Sequence, residues 1–203
     1  MIPLNEEFGI QKLKQQCDNS IARIYGFIMY TRRHSYIVKV LRDSDFWNEL
    51  NEISGANWPI FSIKPLKDGK YIMPHSDDEN MMYHMIPTWN EPNQNRNLLN
   101  FFNLNESSNL PCFIAFIWND KEELEQLTWP LKNTSEQEAF DSIREVVEII
   151  SQTESNILPQ KKSSENVFRE VKGNIEAVIS KRKLIKGAKK LISIKDLLES
   201  LKP

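Results

Sequence analysis

Glycine, histidine and cysteine are scarce in this chain, at six, three and two residues of 203, and each scarcity removes a class of chemistry. There is no glycine-rich phosphate loop, no Gly-x-Ser-x-Gly elbow and no His-Glu-x-x-His pair, so the common signatures of phosphate cradling, acyl transfer and zinc hydrolysis are missing. Cys17 and Cys112 are too few for a disulfide framework and too far apart for metal-ligand spacing, which fits a reducing, cytoplasmic setting. Long apolar runs are also lacking. The longest, Cys112 to Trp118, has seven residues against the roughly 20 that span a bilayer. The opening residues, MIPLNEEFGI, are acidic where a signal peptide would be basic. Neither a cofactor nor a metal is expected, and an enzyme is the less favoured class.

What is present is the composition of a soluble globular protein, 40% hydrophobic and 27% charged, which excludes a disordered or fibrous chain. Charge is unevenly placed. Residues 161–203 hold twelve Lys or Arg against five Asp or Glu, net +7, which leaves net −9 on residues 1–160. An acidic α/β domain over 1–155 followed by a linker and basic helical tail over 156–203 is the expected division.

Apolar residues at Ile10, Leu13, Cys17, Ile21, Ile24 and Ile28 repeat with helical spacing and predict an N-terminal helix over about 5–29, with a hairpin strand at 21–30 as the competing reading. SYIVKVL (35–41) reads as a strand because it is short and β-branched. A helix capped by Asp43 or Ser44 should then carry Phe46, Trp47, Leu50 and Ile53 and stop at Gly55. NWPIFSIKP predicts a second strand, and 66–97 an irregular insertion, followed by a short helix within 96–104. Pro111 should start a third strand through Trp118, with a fourth at 125–131 antiparallel to it. Ser135 and Glu138 form a capping-box pattern ahead of a helix bearing Ala139, Phe140, Ile143, Val146, Val147 and Ile150. The stretch 151–165 reads as linker. Helical spacing returns from Val167 to Ile192, and a separate short helix is expected from Ser193.

Strand, helix, strand, irregular segment, helix, strand, strand, helix over about 35–153 resembles the thioredoxin-like fold. The sharpest local match is Asn109-Leu110-Pro111 leading through Cys112 into FIAFIW, which is similar to that family's proline-initiated third strand. The resemblance implies a three-layer mixed sheet, with Pro111 in the cis form facing a redox motif at the start of the first core helix. The family's Cys-x-x-Cys would fall near Arg42 to Phe46, where this chain has no cysteine. Pro111, Cys112, Asp43 and Ser44 would then border a vacant redox site.

Each candidate site has a plainer alternative. Cys112 could be a lone reactive thiol, although a free cysteine in an apolar strand is usually a small core residue. His75, Asp77, Asp78, Glu79 and His84 could ligate a divalent ion, but they sit in the least regular segment and read better as a solvated loop. Trp58 and Trp129 read as structural, whereas Trp89 and Tyr83 are the better anchors for a protein partner. Lys181, Arg182, Lys183, Lys186, Lys189 and Lys190 form a basic cluster suited to nucleic acid or an anionic membrane surface. The alternative is that they stay solvated or neutralise the acidic body. No aromatic residue follows Phe168 to supply base stacking. The preferred expectation is a non-catalytic interaction or scaffold protein that binds another protein or self-associates through its tail. Nucleic-acid association through the tail, aided by Arg32, Arg33 and Lys39, is one alternative. An unfamiliar enzyme using a single cysteine or carboxylates is the other.

Overall fold

Strand β4 (Cys112–Trp118) organises the molecule. It starts directly after Pro111, whose missing N–H is harmless at a strand's first position. Its side chains alternate between two cores: Cys112, Ile114 and Phe116 enter one, and Phe113, Ala115 and Ile117 the other. The computed structural model describes residues 2–4, 10–18, 20, 22–54, 58–63, 93–157 and 163–200, with side chains of the last helix described as far as 182. The expected insertion at 66–97 lies outside the described residues except for its last five positions.

Five strands form one mixed sheet: β1 (Ile2–Leu4), β2 (Tyr25–Met29), β3 (Ile60–Ile63), β4 and β5 (Leu124–Pro130), in the order β1-β3-β2-β4-β5. β3 runs parallel to β1 and β2, while β4 runs antiparallel to β2 and β5. Over one face lie α2 (Ser35–Arg42), α3 (Ser44–Ser54), α6 (Glu136–Asn156) and the first half of α7 (Ser164–Ser200), packed on Ile28, Trp58, Phe113 and Trp129. The other face is covered by α1 (Ile10–Asp18) and α4 (Asn93–Phe101), through Leu13, Cys17, Leu98 and Leu99, and a short α5 (Glu106–Asn109) leads into Pro111. At the centre Gly26 is required by space. A Cβ there would stand 2.5 Å from Phe113 Cζ and 2.9 Å from Trp58 Cζ3.

Five expectations need correction. The helix read over 5–29 is a helix at 10–18 followed by strand β2; Leu13 and Cys17 face one core while Ile24 and Ile28 face the other, so the even spacing joined two unrelated elements. β2 is not part of a hairpin either, since it lies between β3 and β4. The expected strand 35–41 is helix α2. Its Ile37, Val40 and Leu41 bury at helical spacing, and Asn133 Oδ1 accepts from the Tyr36 and Ile37 N–H groups at 3.0 and 3.3 Å. Tertiary burial and a cap from across the chain outweigh the slight β preference of its branched side chains. Residues 151–156, read as linker, complete α6, where Ser151 bridges Trp58 Nε1 at 3.0 Å and Ile53 O at 2.9 Å. Finally, no new helix starts at Ser193, because α7 continues to Ser200.

Other elements form as their sequences indicate. Asp43 Oδ1 caps α3 by accepting from the Asp45 and Phe46 N–H groups at 2.8 and 3.3 Å. Ser135 Oγ accepts from Glu138 N–H at 3.2 Å. Glu138 does not complete the reciprocal cap; its carboxylate meets Thr134 Oγ1 and, at 3.3 Å, Lys132 Nζ.

Candidate functional site

Three chain segments converge where β2 and β4 end together. Met29 is opposite Cys112 in the antiparallel register, so Tyr30 and Pro111 leave the sheet at the same end. The Leu110–Pro111 bond is cis. From Tyr30 the chain turns through Thr31, Arg32, Arg33 and His34 into α2. His34 Nδ1 accepts from Thr31 N–H at 2.9 Å and lies 3.1 Å from Thr31 Oγ1, while His34 N–H donates to Thr31 O at 3.0 Å. A ring nitrogen that accepts a backbone N–H is unprotonated, which assigns the acceptor role to Nδ1. The third segment follows β5: Leu131 N–H donates to Pro111 O at 2.9 Å, and two residues later Asn133 caps α2.

This corner carries cations and the Thr31 hydroxyl beside His34, but no thiol. Arg32 and Arg33 are exposed, Pro111 is half-buried, and the turn contains no cysteine. Cys112, the residue after the proline, points into the core shared with α1 and α4, and Cys17 lies in the same core. Burial pushes both thiols up to about 12, from an ordinary value of 9.0. A thiol held that firmly protonated is a poor nucleophile. Cys112 thus has the surroundings of the plainer alternative, a small core residue whose burial raises the cost of forming a thiolate.

Asp43 and Ser44, expected beside Pro111, instead join α2 to α3 and are separated from the turn by the whole of α2. Trp89, Tyr83 and the His75, Asp77, Asp78, Glu79 and His84 set lie outside the described residues. Among the described residues, no group of three His, Cys, Asp or Glu could hold a metal, and no helix is long and apolar enough to cross a membrane. Sequence reasoning missed Thr31, His34 and Asn133 as parts of one corner. Their types occur in any turn, and only the fold brings Asn133 to α2.

In the tail, Lys181 is exposed. Arg182 is half-buried; it pairs with Glu145 of α6, and its guanidinium carbon lies 4.8 Å from the centre of the Trp129 ring. Lys183, Lys186, Lys189 and Lys190 fall on α7, with side chains outside the described residues. Val167, Phe168, Val171 and Ile175 are buried in the core that α6 shares, so the start of the basic segment packs on the body. No family model, no curated protein and no solved structure matches this chain.

Proposed function

We propose that the chain is a non-catalytic, cytoplasmic interaction module built on a three-layer, thioredoxin-like sheet that lacks its redox pair. Support comes from the β1-β3-β2-β4-β5 order with its pattern of parallel and antiparallel neighbours, from helices on both faces, and from a β4 that starts at a proline. On this reading the position of the family's Cys-x-x-Cys is the start of α2, where Arg32, Arg33, His34 and Ser35 stand, because α2 follows β2 directly. Placing it at Asp43 and Ser44 depended on taking 35–41 as a strand.

The observation that carries the proposal is the state of the two thiols. Exchange needs an attacking thiolate and a second thiol to resolve the mixed disulfide. Here the turn has none, and both cysteines are buried with raised pKa values. Insulin reduction by dithiothreitol, followed by turbidity, provides the test. The chain should leave the uncatalysed rate unchanged; an acceleration that Cys112→Ser removes would overturn the proposal.

The partner-facing parts are the 66–97 segment with Tyr83 and Trp89, directed at another protein, and the basic tail. Tyr83→Ala with Trp89→Ala should release proteins captured from the native cytoplasm without changing the unfolding midpoint, and an unchanged set of captured proteins would refute that role. Nucleic-acid association is the second reading and draws on the net +7 of the tail. It requires retention on a duplex at low salt that weakens steeply as salt rises, and lack of retention removes it.

A further inference from the structure

The turn between β2 and α2 carries the chain's only pair of adjacent arginines, Arg32 and Arg33, and Ser35 follows them as the first residue of α2. Arg32, Arg33 and Ser35 are all exposed, whereas Thr31 just ahead of them is 3% exposed, with its N–H held by His34 Nδ1. A further cation, Lys39, stands four residues beyond Ser35 and therefore on the same side of the helix. It is exposed; its Nζ lies 3.9 Å from Glu136 Oε2 at the start of α6 and 5.6 Å from the centre of the Tyr36 ring. One solvent-facing hydroxyl is thus flanked by two arginines on its N-terminal side and a lysine on the other, with Glu136 as the acid of the group.

We propose that Ser35 is a phosphorylation site for an arginine-directed protein kinase, and that the phosphoryl group it receives takes Lys39 from Glu136. Such kinases select a serine by the arginines two and three residues ahead of it, which pair with acidic groups in the substrate groove. In the transfer, Ser35 Oγ attacks the γ-phosphorus of a nucleoside triphosphate, the bond from that phosphorus to its bridging oxygen breaks and the nucleoside diphosphate leaves. The hydroxyl proton passes to the base of the kinase. This chain supplies only the hydroxyl and the arginines.

The Tyr36 and Ile37 N–H groups are already capped by Asn133, so the phosphate is held by side chains and not by the helix end. A phosphoserine brings about 1.5 to 2 negative charges and three acceptor oxygens. Four residues ahead of Lys39, it has the favoured orientation for an acid and a lysine on one helix. Glu136 competes with a single charge across 3.9 Å, from a different element. The ammonium therefore moves to the phosphate, and one tie between α2 and α6 is released.

Other serines fit less well. Ser164 follows Lys161 and Lys162 at the same spacing, but it is half-buried, and lysine lacks the planar fork with which arginine grips a carboxylate. Ser44 has Arg42 two residues ahead but an acid, Asp43, between them. The proposal does not rest on the thioredoxin-like reading of the sheet.

Incubation of the full chain with ATP and a purified arginine-directed serine kinase tests it. The intact mass should rise by one phosphoryl group, and Ser35→Ala should abolish the gain. Arg32→Gln with Arg33→Gln should slow the initial rate at least about tenfold, the loss expected for one charge-assisted contact. In the phosphorylated chain the phosphorus resonance should titrate below the ordinary phosphoserine value of about 6, and Lys39→Gln should bring it part of the way back. No gain of mass by the native chain overturns the proposal, as does a gain that survives Ser35→Ala. Phosphorylation confined to a free peptide spanning Met29 to Val38 also overturns it, because the folded turn would then be closed to a kinase. A phosphate that titrates at its ordinary value, or whose titration Lys39→Gln leaves unmoved, would refute the capture of Lys39.

Discussion

An aromatic disulfide reagent added to the native protein at neutral pH should find two thiols that are almost entirely protonated. Cys112 and Cys17 are 0% and 2% exposed, and burial lifts each thiol to about 12 from an ordinary 9.0. Three units lower the thiolate fraction about 1,000-fold at any pH well below both values, before steric exclusion is counted. Labelling followed by absorbance should therefore be at least about 1,000-fold slower for the native chain than for the same chain in denaturant. The same shift links to stability with a definite sign. A group whose folded pKa is raised contributes stability that is fully present below its unfolded pKa and lost as pH climbs through the folded one. Stability should thus hold at neutral pH and fall from about pH 9 upward, by at most roughly 1.4 kcal/mol per pH unit for each thiol. Tyr25, whose hydroxyl donates to Cys17 O at 2.8 Å and which burial also pushes up to about 12, adds to that loss. Replacing both cysteines by alanine should flatten part of the alkaline decline in urea midpoint and leave the tyrosine part. Native Cys112 labelled at neutral pH as fast as in the denatured chain would refute the desolvation argument, and with it the claim that the proline-flanked thiol is inert.

Gly26→Ala should cost about 1–3 kcal/mol by overpacking against Phe113 and Trp58, and Phe113→Leu in the same chain should recover part of the loss in a chemical denaturation series. Asn133→Ala removes the acceptor for two N–H groups at the start of α2 and should lower stability by about 1 kcal/mol, with Asn133→Asp retaining most of it. A double-mutant cycle on Arg182 and Glu145 should give no more than about 1 kcal/mol, because both side chains are half-exposed; amide exchange near 176–182 should quicken in either single variant. A coupling of several kcal/mol would contradict that placement.

Where the sequence was legible, one local rule agreed with burial. Pro111 ahead of seven apolar residues reads as an interior strand, and Ser135 followed by Phe140, Ile143, Val147 and Ile150 reads as a capped amphipathic helix; both form. Where it was not, a local rule opposed a distant contact. Ile37, Val38 and Val40 favour a strand weakly, yet the burial of Ile37, Val40 and Leu41 and the amide of Asn133 make a helix. Tyr25 to Met29 are buried on both faces, so they lack the alternation that would separate a strand from a continuing helix. The corner at Thr31, His34 and Asn133 was illegible for the same reason: its members are a hundred positions apart and none is an unusual residue type. Arg182 stood out as a cation in a basic run, but nothing in the sequence indicates that it would lie over Trp129.

Among the described residues, strand β5 ends the sheet on one side, with backbone groups along its outer margin. It is not a welcoming template. Pro130 has no N–H to offer a further strand, and the exposed Glu125 would be desolvated by a neighbour laid against it. Growth of the sheet by stacking copies edge to edge is therefore obstructed at that margin, so concentrated solutions should resist fibril formation through β5.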